Sequence, residues 1–397
     1  MSSKMNRKRV DVVTKYFFPV SAGIEQNILQ TYKVLQRDHG WEVTVHTSAN
    51  TYLEKNSLEP ETYVEGLRVK RYKTGHFGFF PSIDWNRTDV VALHNFDVFF
   101  FRFFLKFLWD KLLGKKTYAT ILTPHGGFNP EWSIFPPIIR IVKKIYTYSI
   151  GSLLINLTID GVRAVSEWER SVMLKYLKPN LVRAIDNGLE DEAYIDVEKH
   201  ASEYIKATCR EWGKYIIQVA RVYAIKNMET AIRALARLPP DIRYVIVGQL
   251  QDKTYLDKLN ALARQLGVAE RVIYAGVIRG VDKYYVMKHA VAMIHMALWE
   301  SYGNVLREAM SQGTPCVVSN VYNIPFLVKD GINGFCLPVH DDASAAAKIM
   351  WILDPANTSA IQKIRNANID LGKNQSWRDV AKNMSAFYTA CLSQYRL

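Results

Sequence analysis

Long uncharged hydrophobic runs are missing from this sequence: no window reaches the roughly 20 apolar residues that a membrane-spanning helix needs, which argues against an integral membrane protein. Cysteine is scarce. The four present, Cys209, Cys316, Cys336 and Cys391, form no Cys-x-x-Cys pair and no metal-ligand spacing, so the expectation is reduced thiols in a cytoplasmic protein. Low-complexity segments are absent too, which excludes a disordered chain. The start "MSSKMNRKRVDVVTKYFFPV" has the basic flank of a signal peptide but not its apolar core, because Asp11 and Lys15 interrupt it and Pro19 follows. It reads as a basic tail leading into a first strand.

What is there is a globular composition, 49% hydrophobic and 22% charged, spread over 397 residues, a length that suits two domains. The net charge of +13 is unevenly placed, with roughly +9 carried by residues 1–180, and this asymmetry points to an anionic partner. Nucleic acid, anionic lipid and sugar phosphates all qualify. Short β-branched runs alternate with helical patterns: "RVDVVTKYF", "WEVTVHTS", "DVVALHNF", "YATILTPHG", "GVRAVS" and "VRAIDNG" in one series, "YIIQVAR", "RYVIVGQ", "RVIYAG", "VAMIHMA" and "PCVVSN" in a second. Two series predict two doubly wound α/β domains, residues 1–190 and 191–376. A polar linker is expected over 186–213, and a last helix, 377–397, crosses back to the first domain. Ligands of such sheets bind beyond the carboxyl ends of the strands, so the loops after Phe18, Asn95, Pro124, Arg221 and Met296 are where chemistry is expected.

Three of these loops carry suitable residues. "FFPVSAGIEQNILQ" leads through Gly23 into a helix and can offer backbone N–H groups to a phosphate or a sugar oxygen, although a plain strand-to-helix turn reads the same. "VARVYAIKN" puts Arg221 just after a strand and Lys226 five positions on, two cations suited to a diphosphate or simply solvated. "WESYGNVLREAMSQGTP" holds Glu300 on a loop and Glu308 within a helix that starts near Gly303. There Gly303, Asn304 and Val305 offer N–H groups to a phosphate, Glu300 can accept from sugar hydroxyls and Glu308 can take a ribose diol. Capping by Glu300 and solvation of Glu308 is the plainer reading, but the flanks "AMIHMALW" and "AMSQGTPCVV" read as buried.

The Glu300 to Glu308 stretch, with Ser-Tyr-Gly after the first glutamate and Ala-Met-x-x-Gly-x-Pro after the second, closely resembles the signature of retaining GT-B glycosyltransferases of family 4. Other motifs follow in the family's order from about Val10 to Pro338: Pro19 to Glu25, "LTPHGG", "AVSEWER", "NGLED", Arg221 with Lys226, and "VKDGINGFCLP". The resemblance implies two Rossmann-like domains facing across a cleft, acceptor on the N-terminal and donor on the C-terminal one. It implies Arg221 and Lys226 on the leaving diphosphate, Glu308 on the ribose, Glu300 on the donor hexose, and the N–H groups of Gly303 to Val305 on the distal phosphate. His125 is implied over the anomeric carbon and Gly23 near the phosphate from the other domain. The family uses a UDP- or GDP-sugar as donor substrate, no separate cofactor and no essential metal, and the lack of an Asp-x-Asp triplet here fits that.

Departures are also visible: Ala22, Ala220 and Asn227 stand at positions where the family has glycine, Met296 and Ala297 where it has Pro-Ser, and Phe326 where an acid is common. His94 ends a strand and is read either as lining the acceptor side or as a structural histidine. Phe96 to Lys116 is read as a helix with a polar stripe of Arg102, Lys106 and Asp110 and more aromatic surface than one sheet face needs. Either it is core, or it makes peripheral contact with an anionic membrane, a reading open to the stretch 134–151 as well. The expected function is retaining transfer of a hexose or N-acetylhexosamine to a glycan or lipid-linked acceptor in cell-surface polysaccharide or glycoconjugate synthesis, at the inner face of the membrane. A non-catalytic GT-B scaffold, a nucleotide-sugar epimerase and a phosphorylase are the alternatives. A nucleic-acid binder is disfavoured because no recognisable module is present.

Overall fold

A computed structural model describes residues 7–20, 23–51, 54–75, 78–373 and 375–395. The chain divides into two compact units, Met1–Gly188 with Trp377–Leu397, and Leu189–Ser376.

In the first unit β1 (Arg9–Thr14), β2 (Glu42–Ser48), β3 (Glu61–Val64), β4 (Leu67–Tyr72), β5 (Val90–His94), β6 (Ala119–Thr123), β7 (Gly161–Ala164) and β8 (Val182–Ala184) build one sheet in the order β3-β4-β2-β1-β5-β6-β7-β8. Only β3 and β4 pair antiparallel. The inner strands are apolar along their whole length, and every residue of β5 and β6 is buried, because helices cover both faces of a parallel sheet. The helices that matter below are α1 (Gly23–His39), α2 (Phe101–Leu112), α3 (Pro137–Ile145), α4 (Ser152–Thr158) and α5 (Glu167–Met173). The helix Trp377–Ser393 also belongs here: Val380, Ala381, Met384, Phe387, Tyr388 and Leu392 share one apolar cluster with Val10, Ile28, Tyr32 and Trp41.

In the second unit β9 (Lys214–Val219), β10 (Ile242–Val247), β11 (Val272–Gly276), β12 (Ala292–His295), β13 (Cys316–Ser319) and β14 (Gly334–Leu337) form an all-parallel sheet in the order β11-β10-β9-β12-β13-β14. Each sheet reverses its strand order once, between β1 and β5 in the first and between β9 and β12 in the second. Those switch points are where an open α/β sheet leaves a crevice for a ligand.

Several expectations need correction. The boundary between the units, after Gly188, falls inside the expected stretch 186–213, but the stretch is not an open polar linker: from Asp191 it forms short helices, and Val197, Ile205, Cys209 and Trp212 are buried in the second unit's core. β3, β4 and β14 went unread; the first two form a hairpin through Glu65 (φ 45°) and Gly66 (φ 84°), the doubly left-handed turn that suits tight hairpins. Of the two readings of 96–116, most of its phenylalanines follow the core one, while Trp109 is exposed. Phe96, Phe100, Phe103, Phe104 and Phe107 are buried against Phe79, Tyr118 and Phe128, and Asp110 of the supposed polar stripe is buried on the Tyr118 hydroxyl. Among the described residues no helix is long and apolar enough to cross a membrane.

Candidate functional site

At the second switch point, the chain leaving β9 passes exposed Arg221, whose guanidinium lies over the Tyr223 ring, and turns back at Lys226. The chain leaving β12 reaches Glu300 on a loop before the helix Asn304–Ser311. Lys226 Nζ sits 2.9 Å from Glu300 Oε2, and both side chains are 14% exposed. The Gly303 N–H donates to Glu300 Oε1 at 3.2 Å, and His295 Nε2 lies 3.5 Å from the carboxylate. Burial alone would raise the Glu300 pKa, but Lys226 and His295 outweigh it and hold the carboxyl well below its usual range. Gly303 adopts φ 88° at the helix mouth, where a Cβ would press the Leu327 side chain, so this turn needs glycine. One turn into the helix, Glu308 faces Lys283 at 3.2 Å, and Lys283 also binds Glu190 at 2.9 Å. Burial raises the Glu308 pKa with Lys283 opposing it; Lys283, which burial would lower, is held up by the two carboxylates.

At the first switch point a buried hydrogen-bond chain runs from Tyr388 OH to Tyr32 OH (2.5 Å), on to His94 Nε2 (2.8 Å), and from His94 Nδ1 to His125 Nε2 (2.8 Å). Burial, with Arg163 contributing, lowers the His125 pKa to about 3 and takes that of His94 well below its ordinary value, so both rings are neutral. His125 itself has φ 53°, an uncommon conformation for a non-glycine residue. Its loop is pinned by Glu169 of α5, whose carboxylate accepts from Gly126 N at 2.6 Å and Val165 N at 2.8 Å. Burial nevertheless pushes the Glu169 carboxyl up to about 7. Gly23 begins α1, while Ser21 and Ala22 lie outside the described residues. A groove of about 960 Å³ opens where β1, β2, β4 and β5 end, and its lining includes Lys15, Lys55, Arg102 and Lys143 with Tyr16 and a single carboxylate, Asp97. Among the described residues, no group of three or more His, Cys, Asp or Glu is placed to hold a metal ion.

Residues 203–368 match the family model described as glycosyl transferases group 1. Over 97% of this chain and 81% of the relative, the sequence is 25% identical to the phosphatidylinositol N-acetylglucosaminyltransferase gpi3 subunit of Schizosaccharomyces pombe. With a D-inositol 3-phosphate glycosyltransferase of Mycobacterium sp. (strain KMS) it shares 25% identity, over 68% of this chain but only 58% of that one. Anabaena HepE in complex with UDP and glucose superimposes with a TM-score of 0.72 at 16% identity, covering 97% of this chain and 100% of that one. Sucrose-phosphate synthase from Thermosynechococcus elongatus does so at 0.75 and 16%, covering 98% and 100%. The fold is GT-B.

Within the group 1 region the family's glycine positions are met by other means. Asn227 takes the left-handed conformation (φ 46°, ψ 54°), donates from Nδ2 to the Met296 carbonyl at 2.8 Å and accepts from Thr230 at 3.0 Å. Asparagine is among the few side chains that accept this geometry. Beside Ala220 the tight approach is made by Gly248 instead, since a Cβ there would fall 2.0 Å from the Ala220 carbonyl oxygen. Met296 and Ala297 are buried, and Ser319 Oγ donates to the Ala297 carbonyl at 2.6 Å. Phe326 is about half exposed, with Lys329 over its ring.

Four site residues escaped the sequence reading. Lys283 sits mid-helix in "VDKYYVMK", Glu190 in a turn, Glu169 on α5 and Arg163 in β7, where its guanidinium bonds the Ile185 and Asp186 carbonyls and the Asn27 and Asn187 side chains. Glu190 and Glu169 left local traces, the first within the "NGLED" motif and the second three residues after the helix-capping Ser166.

Proposed function

We propose that this protein is a retaining glycosyltransferase that moves a hexose or N-acetylhexosamine from a UDP- or GDP-sugar to a glycan or lipid-linked acceptor, in cell-surface polysaccharide or glycoconjugate synthesis. The observation that carries the proposal is the Lys226–Glu300 pair set at the mouth of the Glu308 helix, on the switch point of the group 1 region. In this reading the incoming diphosphate draws on Lys226, Arg221 and the N–H groups of Asn304 and Val305, with Gly303 serving as the turn. Stabilising charge on a departing phosphate in a fixed electrostatic frame is a term that usually dominates such catalysis. Glu300, released from part of its bonding to Lys226, accepts from sugar hydroxyls, and Glu308 takes the ribose. The bond from the anomeric carbon to the diphosphate breaks, and the acceptor oxygen bonds the same face of that carbon while its proton leaves with the diphosphate. No metal enters this scheme; that part rests on the family resemblance and on the missing Asp-x-Asp.

Roles at the reacting end of the donor for Gly23 and His125 are part of the same proposal. His94 acts as a positioning residue: as a neutral ring it bonds Tyr32 on one nitrogen and His125 on the other, so it fixes which His125 nitrogen carries the proton. The acceptor is assigned to the groove of the first unit. Its four cations against one carboxylate favour a phosphate-bearing acceptor, and the fission-yeast relative, by its name, uses phosphatidylinositol and transfers N-acetylglucosamine. A cytoplasmic protein on the inner face of the membrane is the corresponding location.

The test is product analysis with UDP-GlcNAc, UDP-glucose and GDP-mannose, each with and without phosphatidylinositol. Release of a nucleoside diphosphate with a product of unchanged anomeric configuration supports the reading, and an inverted product overturns retention. His125→Ala is expected to lower turnover more than donor binding; unchanged turnover removes His125 from the catalytic residues.

A further inference from the structure

None of the nine residues of α3 is buried, although five are Ile or Val: Ile138 is 77% exposed, Ile139 48%, Ile141 58%, Val142 56% and Ile145 58%. Ile138, Ile141, Val142 and Ile145 recur at i, i+3, i+4 and i+7, so they share one helix face, and Arg140, Lys143 and Lys144 lie opposite. α3 runs through a π-helical turn (Tyr146–Gly151) directly into α4, giving a rod roughly 33 Å long. Ile150, Leu153 and Leu157 continue the uncovered apolar row at i, i+3 and i+7. α4 packs beside α2, where the Lys111 ammonium bonds the Leu157 carbonyl and where Trp109 (62%) and Leu112 (72%) also stand exposed. An ordinary soluble protein does not leave so large a contiguous apolar surface uncovered.

Charge decides the occupant. Residues 132–159 contain no Asp or Glu and three cations. A second copy of this face would set Arg140, Lys143 and Lys144 against themselves with no acid in the segment to answer them. A bilayer of anionic phospholipid answers both features, since an interfacial helix buries its apolar face at the acyl boundary while lysines and arginines reach the headgroups with their ends.

We propose that the rod 137–158, with Trp109 and Leu112 beside it, docks on an anionic phospholipid bilayer, Ile138, Ile141, Val142, Ile145, Ile150, Leu153 and Leu157 inserting at the acyl boundary. The proposal stands independently of the transfer reaction, because the face is uncovered whatever the protein catalyses. It also replaces the phenylalanines of 96–116, which are buried or half-buried in the core, as the membrane-contacting groups. Because Lys143 also lines the basic groove, docking brings that groove beside the headgroups.

Flotation with phosphatidylcholine vesicles, with and without phosphatidylglycerol, tests it on the full chain. Wild type is expected to float with the anionic vesicles at low salt and to release as salt rises. Ile138→Asp with Ile141→Asp should cut the bound-to-free ratio by about tenfold or more, and Lys144→Glu on the order of tenfold, with thermal stability unchanged because these side chains are exposed. Wild type remaining with the unbound fraction at low salt overturns the proposal, as does a double aspartate variant that floats like wild type. A concentration-dependent dimer in sedimentation velocity that the double variant abolishes overturns it too, by assigning the face to a second copy.

Discussion

Glu300 and Glu308 are both paired with a lysine, yet their removal should have opposite consequences. In Glu300→Ala, Lys226 loses the carboxylate 2.9 Å away while its side chain stays 14% exposed, and the Gly303 N–H loses its acceptor. Stranding one partner of a buried pair costs about 3–5 kcal/mol, and the residual exposure argues for the lower end, about 3 kcal/mol. In Glu308→Ala, Lys283 keeps Glu190 at 2.9 Å, so the charge is not stranded and the expected cost is about 1 kcal/mol. Domains of this size lose about 2–4 °C of midpoint per kcal/mol, so the two variants should differ by roughly 4–8 °C without ligand. Nucleotide inverts the ranking of interest. A nucleotide at about a hundred times its dissociation constant should stabilise wild type by about 2.7 kcal/mol. Glu308→Ala, lacking the ribose acceptor, should lose about 1.5–3 kcal/mol of binding, about ten- to a hundredfold in affinity. Thermal unfolding with UDP, GDP and ADP at millimolar concentration, for the three proteins, reads all of this at once and names the base. Equal destabilisation by the two substitutions would refute the ion-pair argument. Undiminished stabilisation of Glu308→Ala by nucleotide would refute the donor assignment.

Other expectations follow from the first unit and from the turn at Asn227. His94→Phe should reduce turnover by about 10–100-fold with donor affinity unchanged, and His94→Gln, which can still bond on both sides, should recover part of it; equal loss in both variants, or loss of donor binding, would contradict a positioning role. Glu169 has a folded pKa of about 7 against an ordinary 4.5, so the folded state holds its proton more tightly and stability falls as pH rises between those values. Relative to Glu169→Gln, wild type should lose about 3 kcal/mol between pH 4.5 and 7, and urea titrations showing a pH-independent difference would discard the assignment. Asn227→Ala should cost about 2 kcal/mol through the left-handed backbone and the lost bond to the Met296 carbonyl, whereas Asn227→Gly should cost less. Equal costs in denaturant unfolding would show that the backbone conformation is not what asparagine supplies.

The inner parallel strands were legible because β5, β6 and β9 are short apolar runs buried on both faces, which need no partner to be recognised. β3 and β4 were not: β3, at the sheet edge, alternates between exposed and half-buried residues, and β4 buries only Leu67 and Val69 between charged neighbours, so TYV and RVKRY look like loop. β14 was hidden because its four residues follow a turn that drew attention first. The role of 96–116 could not be read from periodicity, since the rings of Phe79, Phe80 and Trp85 that cover it come from an irregular segment. At the site, Glu300, Lys226 and Glu308 were found because a strand end and a helix start announce themselves locally. Lys283 and Arg163 were not, because each reaches the site across the fold from within an ordinary helix or strand, and nothing in their neighbours distinguishes them.

The helix Trp377–Ser393 carries a consequence for how the chain is made. It supplies seven side chains, Trp377 among them, to the core of the first unit and the hydroxyl of Tyr388 to the chain that ends at His125, yet the ribosome delivers it only after the whole second unit. Domains tend to fold in order of synthesis, but here the earlier one waits for the later. While residues 189–376 emerge, α1 and the faces of β1 and β2 stay open along the groove this helix will fill. The nascent protein is therefore most exposed to aggregation and to chaperones while its second unit is translated, and the His94–His125 contact is completed from behind by a helix that arrives after that unit.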